Sequence, residues 1–186
     1  MKRCFDFLLS IVALIILFFP IGLVTIAVKL TSKGPALYWS ERVGVNNVVF
    51  KMPKFRSMRT GTPAVATHLL QDPAQYLTPI GNFLRKSSLD ELPQLWSIIT
   101  GNMSFVGPRP ALFNQADLIA LRTDQGIHLL RPGLTGWAQV NGRDELPIPV
   151  KVGYDAFYLK NMSLFFDLKI LFLTFLKVLK RDGVSH

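Results

Sequence analysis

At 186 residues the chain is long enough for one domain with a core of its own. Half of it is hydrophobic (49 %), yet 21 Lys and Arg against 12 Asp and Glu give a formal net charge of +9. The basic residues are not gathered in a tail and the apolar segments are long, so the expectation is an anionic membrane or anionic substrates near lipid, and no nucleic acid. A lone cysteine, Cys4, excludes an internal disulfide, and His68, His128 and His186 are too scattered to suggest a histidine-built metal site.

In chain order, the first element is the uncharged run Phe7–Val28, "FLLSIVALIILFFPIGLVTIAV". A straight helix of this length crosses a hydrocarbon core of roughly 30 Å. Pro20 and Gly22 interrupt it, and an interior proline kinks a helix. Lys2 and Arg3 precede the run and Lys29 and Lys33 follow it, so the charges assign no orientation. A kinked span and a re-entrant helix that returns to its own side both remain open on this physics. "ALYWSERVGVNNVVFKM" reads as a small β-hairpin turning at Asn46-Asn47, residues that tolerate positive φ. Residues 60–80 read as loop with a short helix, and residues 111–125 as a helix. "RPGLTGWAQVNGR", Arg131 to Arg143, reads as a structured loop. Ser163–Arg181 is a strong helix prediction, either buried in the core or lying in a membrane interface.

The tetrapeptide Asp-Glu-Leu-Pro occurs twice, at Asp90–Pro93 and Asp144–Pro147. After the first copy Leu92, Leu95, Trp96 and Ile99 fall on one helix face. Pro93 lacks an N–H, which favours a helix capped by Asp90 with Pro93 at the third position, over a capping box of Ser88 and Glu91. Asp90 can be a plain cap. The same placement suits an ionised carboxylate beside Arg85 and Lys86, near a phosphate and a cation. After the second copy, Pro147 and Pro149 argue against a helix start, and Asp144 and Glu145 read as loop charges.

Other cations are candidate phosphate ligands. Lys54 and Arg56 share a face if "FKMPKFRSMR" is extended. Arg109 sits on a stiff loop between two prolines, and Arg131 and Arg143 bracket the Gly-rich segment. Tyr154, Asp155 and Tyr158 open a helix, with packing as their default role. There is no GxGxxG, no P-loop and no Asp-x-Asp metal motif.

Taken together, "RCFDFLLSIVAL", "ERVG", "FKMPKFRSM", "LRKSSLDELPQLWSIITGNMSFVGPRP", "RPGLTGWAQVNGR", "YDAFYLKNMSLFFDLKIL" and "VLKRDGVS" resemble, in order, the small monotopic phosphoglycosyl transferases. These are bacterial sugar transferases that include the bacillosaminyl phosphate transferase of N-linked glycosylation. The resemblance runs from about Lys2 to Gly183. It implies an α+β, mostly helical fold: a re-entrant membrane helix-break-helix at residues 1–33, then a membrane-associated catalytic domain at 34–186 with the small hairpin and amphipathic interfacial helices. Pro20 matches the family's break, with Phe19 where serine is usual. Asp90 matches the nucleophile and Glu91 its partner acid; Lys54, Arg85 and Arg109 fall on positions near the phosphates. The second Asp-Glu-Leu-Pro matches no catalytic motif, and the extra N-terminal membrane helices of larger relatives are lacking.

The implied reaction moves a phospho-sugar from a UDP-sugar to polyprenol phosphate, with Mg²⁺ at Asp90 and Glu91. The implied place is the cytoplasmic face of a bacterial inner membrane, against lipid. A homodimer, the sugar and the pathway stay open.

Overall fold

We describe the fold from a computed structural model, which describes residues 2–65, 70–142 and 146–180. Helix α1 runs from Lys2 to Thr31, followed by strands β1 (Leu37–Val43) and β2 (Val49–Phe55). Then come α2 (Gly81–Lys86), a 3-10 turn at Leu89–Glu91, α3 (Gln94–Thr100) and β3 (Ser104–Val106). The chain continues through α4 (Ala116–Asp124), β4 (Gly133–Thr135), α5 (Trp137–Asn141), α6 (Ile148–Asn161) and α7 (Leu164–Lys180). The mostly helical α+β class, with a small hairpin behind an apolar N-terminal helix, is what the sequence led us to expect.

β1 and β2 pair antiparallel, with Leu37 opposite Phe55 and Val43 opposite Val49. Asn46 and Asn47 take φ of 55° and 61°, the left-handed conformation that asparagine accepts more readily than most residues. β3 and β4 pair in parallel, Ser104 against Gly133 and Val106 against Thr135. This second pair lies partly within the predicted Gly-rich loop, which instead contains β4 and α5. The glycines there permit a backbone-to-backbone approach. A Cβ on Gly136 would lie 2.1 Å from the Gly107 carbonyl oxygen, and one on Gly133 would lie 2.1 Å from the Gly107 nitrogen.

The main core gathers Met52 of β2, Leu95 and Ile98 of α3, Phe105 and Val106 of β3, Tyr158 of α6 and Ile170 of α7. Burying a side chain of the size of Ile98 or Ile170 stabilises by about 1.5–3 kcal/mol. α3 turns Leu95 and Ile98 inward and leaves Trp96 exposed, so the buried face is rotated from the predicted one. Packing against α1 selects that face, which the spacing could not.

α1 passes through Pro20 as one continuous helix of 30 residues, so the helix is not interrupted at the proline. Leu9, Ala13, Leu14 and Leu17 pack on the main core, and Ile21, Val24 and Val28 on a second cluster with Ala36, Phe55 and Leu84. The opposite side, including Ile15, Phe18, Phe19 and Leu30, is exposed.

Both ends of α1 are tied to the same body. Lys2 pairs with Asp167 of α7 at 2.5 Å, Arg3 donates to the Ile98 and Ile99 carbonyls at the end of α3, and Asp6 accepts from the Phe105 N–H. At the other end Arg56 donates to the Ser32 and Lys33 carbonyls. Arg3 takes carbonyls left open in the last turn of α3, and Arg56 takes those of the two residues that follow α1.

Two further boundaries differ from expectation. α4 starts at Ala116, because residues before it are held extended: Val43 N–H donates to the Ala111 carbonyl and Leu112 bridges Arg42. α6 starts at Ile148, directly after Pro147, where a helix start was not expected. Pro149 falls at the second helical position, whose missing N–H needed no partner. α7 buries Asp167 and Ile170 while Phe165, Phe172 and Phe175 stay exposed, so it is a core helix on one side and an apolar surface on the other.

Candidate active site

The site is assembled where four segments meet: the end of β2, the end of α2, the Leu89–Glu91 turn and the loop after β3. α2 ends at Lys86, and two residues on Ser88 takes a φ of 57°, in the left-handed region unfavourable to residues with a side chain. That reversal aims the next three residues into a 3-10 turn, closed by Glu91 N–H to Ser88 carbonyl and Leu92 N–H to Leu89 carbonyl. Leu89 and Leu92 anchor the turn on the cluster around Phe55 and Leu84.

Asp90 is therefore within the turn and does not cap a helix. α3 begins after Pro93, which itself occupies the cap position, and no side chain caps it. Ser88 makes no capping bond either. The proline's missing N–H is absorbed in the joint between turn and helix, a solution the linear spacing did not distinguish from a cap three residues earlier.

The two adjacent carboxylates have different surroundings. Glu91 Oε1 accepts from Lys54 Nζ at 3.0 Å and from both Arg109 Nη atoms at 3.4 Å. Burial raises the Glu91 pKa, but Lys54 and Arg109 outweigh it and bring it down to about 2. Asp90 is 8 % exposed, and among the described residues nothing hydrogen-bonds its carboxylate. Burial raises its pKa to about 6, with the Glu91 charge adding and Lys54, Arg85 and Arg109 opposing. One carboxylate is ionised and engaged; its neighbour is held near neutrality-range titration with its oxygens uncommitted.

Arg109 is placed by its backbone. Gly107 N–H donates to the Thr135 carbonyl and Gly133 N–H to the Pro108 carbonyl, each at 2.9 Å, stitching the Pro-Arg-Pro loop to β4. From the other side Arg122 Nη1 donates to the Arg109 carbonyl at 2.8 Å. Arg122 is itself fixed by Asp155 of α6, whose Oδ2 accepts from its Nη2 at 2.6 Å and Nε at 3.0 Å. Sequence reasoning missed this pair. In the sequence packing is the default role of Asp155 and no motif surrounds Arg122; an Arg and an Asp 33 residues apart carry no local signal.

Of the candidate residues, the structure brings together Asp90, Glu91, Lys54, Arg109 and, through its charge on Asp90, Arg85. Arg56 does not join them. β2 ends at Phe55, so Lys54 and Arg56 do not share a strand face, and Arg56 is buried against the end of α1. Arg131 is exposed and donates from Nε to the Gly101 carbonyl at 3.0 Å, past the far end of α3 from Asp90. Arg143, Asp144 and Glu145 lie outside the described residues.

The site thus pairs an uncommitted buried carboxylate with cations, on a body whose first helix keeps a long exposed apolar face. The family model for bacterial sugar transferases matches residues 1–181, and the chain belongs to that family. It is similar to the UDP-galactose-lipid carrier transferase of Erwinia amylovora, 40 % identical over 199 residues covering 98 % of this chain and 41 % of that protein. It is 38 % identical over 185 residues to the UDP-glucose:undecaprenyl-phosphate glucose-1-phosphate transferase of Escherichia coli, covering 95 % of this chain and 40 % of the relative. A sugar transferase of Bacillus subtilis called EpsL, uncharacterized by name, is 41 % identical over 194 residues, across the whole chain and 91 % of its own length. The chain thus spans about two-fifths of the first two relatives.

Proposed function

We propose that this protein transfers a phospho-sugar from a UDP-sugar to a polyprenol phosphate, releasing UMP, as a membrane step of glycoconjugate assembly. The observation that carries the reading is Asp90: a buried carboxylate without a hydrogen bond among the described residues, within reach of the charges of Lys54, Arg85 and Arg109. Two relatives are named for moving sugar phosphate to undecaprenyl phosphate or from UDP-galactose to a lipid carrier.

In the first step an Asp90 oxygen attacks the β-phosphorus, the bond to the UMP oxygen breaks, and UMP leaves with that electron pair. In the second, an oxygen of the polyprenol phosphate attacks the same phosphorus and the Asp90 carboxylate departs. Arg85, Lys54 and Arg109 offset the repulsion between carboxylate and diphosphate. Glu91 holds Lys54 and Arg109 in register, and its pKa of about 2 keeps it ionised in that role. Dividing the reaction lets the two anionic substrates visit in turn.

Asp90 and Glu91 supply hard oxygen donors of the kind Mg²⁺ takes when substrate phosphates and waters complete its shell. Bound there, Mg²⁺ would neutralise diphosphate charge.

We also read α1 as re-entrant, with the catalytic body on the cytoplasmic side of the inner membrane and α7 in the interface. Contacts to one polar body at both Lys2–Asp6 and Ser32–Lys33 support this, since a spanning helix has its ends on opposite sides of the bilayer.

The test of the chemistry is mass spectrometry of the protein with a panel of UDP-sugars and no lipid. A phospho-sugar adduct on the Asp90 peptide with UMP release is expected, and the productive donor identifies the sugar. Sequential rather than ping-pong kinetics, with no adduct from any donor, would overturn the two-step reading. For topology, Cys4 is exposed. An impermeant maleimide should label it only when the cytoplasmic face is accessible; labelling from outside intact spheroplasts sinks the re-entrant form.

A further inference from the structure

A cavity of about 350 Å³ opens where α1 ends, lined by Thr31, Lys33, Arg56, Arg59, Thr60 and Thr78 among others. Among the described residues no acidic side chain lines it and none of the three cations is in an ion pair. Arg56 is 5 % exposed and its described partners are neutral: the Lys33 and Ser32 carbonyls and the Ser32 hydroxyl, while its Nε has no partner. A buried guanidinium without a counter-charge is costly, and two more cations beside it raise that cost. An anion in the cavity would relieve all three at once.

The backbone is shaped around this arrangement. Gly34 has a φ of +114°, and a Cβ there would fall 2.3 Å from Arg56 Nη1. Only glycine suits both the conformation and the closeness of the guanidinium. The cavity also sits directly after Leu30, the last exposed apolar residue of α1, where hydrocarbon gives way to headgroups if α1 lies in lipid.

We propose that this cavity is a phosphate site separate from the Asp90 centre, taking the phosphate of an anionic lipid headgroup or a free phosphate ion. Arg56 forms its buried wall; Lys33 and Arg59 close on the ligand from the exposed side. The placement of the lipid source rests on the re-entrant reading of α1; the phosphate chemistry does not.

The experiment uses the full chain in neutral detergent and two probes, dihexanoyl phosphatidylglycerol and inorganic phosphate, with native mass spectrometry and a thermal-shift titration as readouts. Arg56 stays intact because it also closes α1. Lys33→Ala/Arg59→Ala should weaken binding by roughly tenfold or more. Arg59→Lys should retain most of it. Lys51→Ala/Lys160→Ala, which removes equal charge from exposed positions on β2 and α6, should bind as the parent does.

Loss in the lipid arm alone identifies a headgroup; loss in the phosphate arm, with or without the lipid, identifies a free-anion site. Equal affinity of the parent and Lys33→Ala/Arg59→Ala in both arms would overturn the proposal, as would an equal loss in the control pair. UMP release is scored in parallel and should persist in Lys33→Ala/Arg59→Ala, so failure of the transferase reading and failure of this site are told apart.

Discussion

Asp155 is 1 % exposed and receives two hydrogen bonds from Arg122, at 2.6 and 3.0 Å; Asp90 is 8 % exposed and receives none among the described residues. In both, burial is the largest influence and raises the pKa, and nearby cations oppose it. The difference is geometric. Around Asp155 the cation is in contact and its other donor is used to hold the Arg109 carbonyl, so the pair acts as a strut. Around Asp90 Lys54 and Arg109 are drawn to Glu91, so Asp90 experiences their charge without their hydrogen bonds. One buried aspartate maintains structure, and the other is left able to react.

The sharpest break of that contrast is Asp90→Asn, expected to abolish adduct formation and lower UMP release by about a thousandfold or more. Turnover retained at the parent rate, with deamidation excluded by mass, would remove Asp90 from the chemistry.

Asp155→Asn should act oppositely, on stability first. Leaving Arg122 buried without its counter-charge costs about 3–5 kcal/mol, read as a large fall in the denaturation midpoint. Arg122→Met/Asp155→Leu should recover much of this, yet keep a lowered kcat because the Arg109 carbonyl loses its donor. Recovery of both stability and kcat would make the pair merely structural.

A third expectation concerns pH. In the proposed mechanism the ionised Asp90 attacks, so single-turnover adduct formation should fall as pH drops through about 6. Lys54→Gln removes a charge that favours ionisation and should move this acid limb up by about one unit; Glu91→Gln removes a repelling charge and should move it down. A limb unmoved by either variant would mean another group titrates.

The smallest effect sharpens the comparison thermodynamically. The folded-state pKa of Asp90 lies above its ordinary 3.8, so ionised Asp90 opposes folding fully above about pH 6, and the penalty fades as pH falls towards 3.8. Asp90→Asn should therefore stabilise the protein by about 1–3 kcal/mol at pH 7.5, with the gain gone near pH 4. An unchanged melting temperature at pH 7.5 would show that burial is not disfavouring the charge.

Much of the site was legible because its parts lie in compact, chemically loaded stretches. Lys54, Arg85, Asp90, Glu91 and Arg109 stood out as charges in motifs bounded by proline and serine. Arg56 and Arg131 stood out equally, yet each is bonded to carbonyls beyond a helix end, a use of arginine that leaves no local signature. Arg122 had no motif to flag it, since its partner is distant in the chain. Two prolines close together look like a barrier to a helix start at Ile148, although the first turn of a helix tolerates them.

Local pattern alone determined the long apolar N-terminal helix, the hairpin turn at Asn46-Asn47, the amphipathic C-terminal helix and the carboxylate pair of interest. Those follow from short-range physics: hydropathy along a helix, tolerance of positive φ, and charge. Which carboxylate is engaged and which is uncommitted was decided only by tertiary structure. So were which cations reach them, and the fastening of both ends of α1 to one body. Each depends on groups tens of residues apart meeting in a low-dielectric interior, where a shift of a few ångströms changes an interaction from screening into a bond.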